Sequence, residues 1–132
     1  MTVVIDASMV VAALVDTGPD GAWAAELLAS ETLAAPHLMP VEVANILHRA
    51  GRAGELSRDV AALAHGDLLD LRVELFPYEP FAGRVWELIE NLTAYDAWYV
   101  ALAELIEAPL ATLDEKLGRA PGTRCTFSIP PR

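Results

Sequence analysis

Apolar residues along this chain follow two alternating rhythms. Short continuous runs at 2–5, 32–35, 73–76 and 109–113 read as strands buried on both faces, as in the interior of a parallel sheet. Between them, apolar positions recur at helical spacing. That spacing predicts helices over 7–14, 22–29, from Pro40 to Gly51 or Gly54, from Ser57 through Leu71, over 80–90 and over 93–104. The breaker-rich stretch 16–21 (Asp-Thr-Gly-Pro-Asp-Gly) predicts a loop. Pro40 is placed to open its helix and Ser57 to cap the next. In the latter helix Leu63, Leu68, Leu69 and Leu71 make the apolar side; in the helix over 80–90 it is Phe81, Val85, Trp86 and Ile89. A short helical turn holds Lys116 and Leu117, and 123–127 is an expected edge strand. Strands alternating with helices predict an α/β fold, a three-layer α/β/α sandwich around a short-stranded, mainly parallel sheet, in one domain over residues 1–132.

Polar residues interrupt this pattern at telling places. Asp6 and Asp114 each follow an apolar strand, so both belong at the carboxyl edge of the sheet, where open α/β sheets bind ligands. Glu42 and Asp96 lie in the first turns of two helices expected to begin at that edge. Each acid has a plain structural use. Asp6 and Asp114 can cap the helices that follow, Glu42 can complement a helix dipole, and Thr93-Ala94-Tyr95-Asp96 has the form of a capping box. Together they point to chemistry. Clustered carboxylates raise one another's pKa, and a hard divalent cation such as Mg²⁺ or Mn²⁺, one ion or two, removes that penalty. Ser8 and Thr112, two positions from Asp6 and Asp114, are candidates for holding a water at such an ion, or for capping. Asn45, one turn beyond Glu42, is a candidate to orient it. Lys116 and Arg119 are candidates for phosphate contact. Trp23, Trp86, Trp98, Tyr95 and Tyr99 read as core or interface residues, and His37, His48 and His65 lack a zinc-ligand pattern.

Composition adjusts this picture in three ways. With 54% hydrophobic residues, 132 residues suffice for a real core. A net charge of -10 opposes any electrostatic nucleic-acid binder, though less an enzyme that meets phosphate through metal ions. Cys125 is the sole cysteine, so no intrachain disulfide can form and a cytoplasmic setting is expected. The first residues carry neither a basic region nor an uninterrupted apolar span, so neither a signal peptide nor a membrane anchor is expected.

Four segments occur together in a characteristic order: Val4-Ile5-Asp6-Ala7-Ser8, Pro40-Val41-Glu42-Val43-Ala44-Asn45, Leu92-Thr93-Ala94-Tyr95-Asp96-Ala97 continuing to Glu104, and Leu110-Ala111-Thr112-Leu113-Asp114-Glu115-Lys116-Leu117. In this the chain resembles PIN-domain ribonucleases, in particular VapC-type toxins of toxin–antitoxin pairs. The resemblance implies a metal-dependent endoribonuclease that cuts structured cellular RNA by a metal-activated water. It assigns metal binding and catalysis to Asp6, Glu42, Asp96 and Asp114, with Asp6 and Asp96 as the principal anchors. It further implies a homodimer and a VapB-like antitoxin that blocks the groove and binds operator DNA.

Two other readings fit parts of the pattern. A receiver-like phosphotransfer module also places carboxylates at the sheet edge, but it would pair acids after the first strand and carry a phosphoacceptor after the third. Here Ala7 follows Asp6, and the third strand ends in Phe76-Pro77. A non-catalytic module using its acids to capture a basic amphipathic peptide suits the net charge equally well.

Overall fold

A computed structural model, describing residues 1–131, places Thr2–Ile5 as β1 in the middle of the molecule. The other strands are β2 (Thr32–Pro36), β3 (Val73–Phe76), β4 (Leu110–Ala111) and β5 (Phe127–Ser128). They form one sheet in the order β3-β2-β1-β4-β5, and every pairing is parallel. The expected mainly parallel sheet is thus wholly parallel. Val3, Val4 and Ile5 are essentially without solvent exposure, which is why the run is continuous and not alternating.

The helices are α1 (Ala7–Val15), α2 (Pro19–Ser30), α3 (Met39–Arg52), α4 (Arg58–Asp70), α5 (Ala82–Leu88), α6 (Ala94–Leu105) and the short α7 (Glu115–Gly118). α1 to α4 pack on one another, while α5 packs on α6 and α6 lies across β1, β2 and β4. From β1 the chain moves through β2 to β3 on one side, then returns to lay β4 on the other. The crevice between β1 and β4 is therefore the topological switch point, where ligands of open α/β sheets bind.

Several boundaries differ from expectation, each for a local reason. α2 starts at Pro19, inside the expected loop, because Gly18 is its N-cap and proline suits the first helical position. Asp16 Oδ1 accepts the Gly18 N–H at 2.7 Å, and a Cβ on Gly21 would sit 1.8 Å from the Asp16 carbonyl oxygen. The breakers 16–21 thus make a tight α1–α2 corner and not a long loop. The helix expected over 80–90 is a 3₁₀ turn, Glu79–Phe81, followed by α5. That turn advances the chain by a tighter rotation, so Val85 and Leu88 face inward and Trp86 is 74% exposed. In α4, Ala64 and Leu68 form the buried stripe; Leu63 and Leu69 lie off it and are exposed. The last strand is Phe127–Ser128, later and shorter than expected. No helix among the described residues is long and apolar enough to cross a membrane.

Candidate active site

The β1–β4 pairing aligns Ile5 with Ala111, so Asp6 and Thr112 come side by side as the two strands end. Asp6 is the N-cap of α1: its Oδ1 accepts the Met9 N–H at 3.1 Å and the Ser8 hydroxyl at 2.6 Å. Its Oδ2 accepts the Thr112 hydroxyl in a very short contact. Thr112 in turn accepts the Asp114 N–H at 2.9 Å, and Ser8 accepts the Leu113 N–H at 3.2 Å. Both hydroxyl protons are thus spent on Asp6. The two side chains lock its carboxylate.

Glu42 stands in the first turn of α3, which Pro40 starts in the expected way. Its Oε1 accepts the Tyr99 hydroxyl at 2.6 Å. Asn45 is exposed and makes no hydrogen bond to Glu42, so the orienting partner is Tyr99 and not Asn45. Tyr99, by sequence a core or interface residue, is buried; its spacing of three from Asp96 puts both on one face of α6, which is the signal the sequence carries for it. Asp96 sits in the first turn of α6, where the Thr93 hydroxyl caps the helix by accepting the Asp96 N–H at 3.1 Å. Asp114 is exposed and caps α7, with Oδ1 accepting the N–H groups of Lys116 and Leu117 at 2.9 and 3.3 Å. Lys116 and Arg119 are exposed beside it.

Electrostatics join the four acids into one set. Burial pushes the Asp6 carboxyl above its ordinary range, outweighing three hydrogen bonds that oppose the shift, and the charge of Asp96 adds to it. Glu42 is raised by burial, then by Asp96 and Asp6, against the Tyr99 hydrogen bond. Asp96 is raised by burial and by Asp114, against Thr93. Tyr99 is pushed upward by burial and by its acidic neighbours, so its hydroxyl stays protonated and donates. Among the described residues, no basic side chain forms an ion pair with any of the four.

This donor set is all oxygen, which suits a hard cation such as Mg²⁺ or Mn²⁺ and not a thiophilic one. Among the described residues no three acids, histidines or cysteines converge into a tight cage. An ion of this kind usually takes one or two carboxylates and keeps several waters, so an open acidic edge fits it. The carboxyl end of β3 carries Phe76 and Pro77 and offers no phosphoacceptor.

Comparison with known proteins gives a consistent answer. A PIN domain family model matches residues 3–122. Ribonuclease VapC1 of Mycobacterium tuberculosis is 38% identical over 127 residues, covering 96% of each chain. The solved structure of VapC20 from Mycobacterium tuberculosis, described as a sarcin-ricin loop cleaving toxin, superposes with a TM-score of 0.70 at 16% identity, over 96% of this chain and 99% of that one. VapBC2 from Rickettsia felis, solved bound to a DNA fragment from its promoter, gives a TM-score of 0.68 at 14% identity over 98% of both chains.

Proposed function

The chain belongs to the PIN-domain family and, within it, to the VapC ribonucleases, and from that premise we propose that Asp6, Glu42, Asp96 and Asp114 form a divalent-metal site at which RNA is hydrolysed. The protein is an endoribonuclease and the toxin of a toxin–antitoxin pair, with RNA as substrate and a VapB-like antitoxin as partner. The observation that supports the metal assignment is the mutual electrostatic influence of four acids from remote segments, with no basic partner among the described residues and three of them held above the ordinary carboxylate range. Left alone, such a set disfavours its own ionisation; a cation turns the same repulsion into affinity.

Each residue has a part in this reading. Asp6 and Asp96 are the principal anchors, and Glu42 and Asp114 complete the set or position a water. Ser8 and Thr112 hold the Asp6 carboxylate in one orientation, as Tyr99 does for Glu42, so the acids are ordered before any ligand arrives. When bound, a divalent cation supplies polarisation of the scissile phosphodiester and a nucleophilic water at neutral pH. Lys116 and Arg119, exposed and close in sequence to Asp114, would meet a phosphate of the substrate in this reading.

The test is calorimetric titration with Mg²⁺ and with Mn²⁺, wild type against Asp96→Asn, alongside a cleavage assay on structured RNA. Ion binding and cleavage by the wild type, both lost in the variant, are expected. Full metal-dependent cleavage by both Asp6→Asn and Asp96→Asn would refute the assignment.

A further inference from the structure

Residues of α3 and α4 line a cavity of about 710 Å³. Its apolar lining is Leu47 with the small residues Ala44, Gly51, Ala61 and Ala62, and a Cβ on Gly51 of α3 would meet the Ala61 Cβ of α4 at 3.6 Å. Its rim is cationic or imidazole-bearing, with His48 and Arg52 from α3 and Arg58 and His65 from α4. The sequence shows why they gather. From Val43 through Gly54 there is no acidic residue, yet the stretch carries His48, Arg49 and Arg52, in a chain of net charge -10. Spacings of four (48 to 52) and seven (58 to 65) then put each pair on one side of its helix.

Neither Arg52 nor Arg58 forms an ion pair; among the described residues the basic groups so engaged are the Met1 amino group and Arg84. Unpaired arginines over a concave floor are a receptor for an anion. The guanidinium fork matches phosphate oxygens, and its flat face accepts a stacked base. The cavity is also tied to the acidic edge by one rigid element. Arg52 lies ten residues after Glu42 on α3, about 15 Å along the axis and turned by roughly 80°.

We propose that the α3–α4 cavity is a docking site for the phosphate backbone of RNA, holding the substrate while the acidic edge cuts it. The inference rests on the ribonuclease reading above. It answers a problem that reading raises: a strongly acidic chain with an acidic site must bind a polyanion. Arg52 and Arg58 supply the local sign reversal, with the imidazoles of His48 and His65 beside them as further hydrogen-bonding groups; all four contact backbone and not base edges, so docking is tolerant of sequence.

The experiment uses fluorescence anisotropy of a fluorescein-labelled 20-nucleotide uridine RNA in EDTA, with the full chain. The Arg52→Gln/Arg58→Gln double variant should bind at least tenfold more weakly at low salt. Its plot of log affinity against log salt should be shallower by about 1.4, two lost contacts at ~0.7 each for a single strand. Ala62→Glu, which adds an acid to the cavity lining and removes no cation, should weaken binding in the same direction. With Mn²⁺ restored, the double variant should raise KM on structured RNA about tenfold and leave kcat within twofold. Circular dichroism melting of each variant checks that the fold is kept. Unchanged affinity and slope in both variants overturn the proposal, as does weakened binding of an acidic amphipathic peptide with RNA binding intact. If the wild type cleaves RNA and the variants match it, docking fails and the ribonuclease reading stands. If the wild type binds the oligonucleotide through Arg52 and Arg58 but cleaves nothing with either ion, docking stands and the catalytic reading falls.

Discussion

Two carboxylates in this protein, Asp6 and Glu104, are both largely withdrawn from water and meet opposite surroundings. Glu104 receives the Arg84 guanidinium at 2.6 and 3.2 Å and the Arg124 N–H at 2.7 Å, while Arg84 also donates to the Gly122 carbonyl at 2.7 Å. α5, α6 and the C-terminal segment are thus clamped around one neutralised pair. Asp6 receives two hydroxyls and one N–H, and its charged neighbours are further acids. The first arrangement holds elements together. The second costs stability and, in the reading proposed above, holds a set of oxygens ready for a cation. Burial alone therefore does not separate a structural acid from a functional one; the sign of the nearest charge does.

The widest separation between the two should come from single amide substitutions. Asp96→Asn should lower RNA cleavage on the order of a thousandfold, because the cation loses an anchor, with no loss of melting temperature in metal-free protein. Glu104→Gln should do the reverse. It removes the charge that receives Arg84 while Glu87 and the Gly122 carbonyl remain, so denaturant unfolding should show a loss of about 2 kcal/mol, with kcat unchanged below the transition.

A finer test is Tyr99→Phe, which removes the hydroxyl from Glu42 and nothing else. Cleavage or metal affinity should fall about tenfold, and stability by about 1 kcal/mol. Should Tyr99→Phe equal Asp96→Asn in effect, Tyr99 would itself take part in the reaction.

The smallest effect concerns pH. Asp6, Glu42 and Asp96 have folded-state pKa values above their unfolded ones, so the stability they contribute is fully present below the unfolded values and is lost as pH rises through the folded ones. Metal-free protein should therefore melt higher as neutral solution is made mildly acidic. Protons and cations compete for the same oxygens, so the stabilisation given by Mn²⁺ should shrink over that same range. A metal-free melting temperature that drops between about pH 7 and pH 5 would contradict the picture of mutually repelling acids.

Much of this was legible in the residues alone. A β-branched run ending in Asp6, Pro40 ahead of Glu42, and Thr93 as a cap before Asp96 are local signals, and each element formed where they stand. What resisted reading was relational. Asp6 is fixed by Thr112, 106 positions away, and Glu42 by Tyr99, 57 away; periodicity does not report such pairings. Asn45 looked like the natural partner of Glu42 because it is one helical turn off, yet it faces solvent. Trp86 looked buried because the break at Glu79–Phe81 rotates α5 away from its apparent apolar face. His48 and His65 looked unremarkable singly, since only the packing of α3 on α4 brings them to one cavity.

The strand order has a consequence for how such a protein is made. β1 and β2 leave the ribosome early, but the crevice that holds Asp6 is closed by β4, whose residues are synthesised some hundred positions later. Until Leu110–Ala111 docks beside β1, Asp6 lacks Thr112 and the edge lacks Asp114. A nascent chain that ends before β4 consequently carries three of the four acids without the strand that fixes Asp6. Stalled at residue 105, it should cleave no RNA, whereas stalling after residue 131 plus enough linker to clear the exit tunnel should release full activity. A cell that makes a nuclease of this topology is shielded from it for most of its translation by geometry alone.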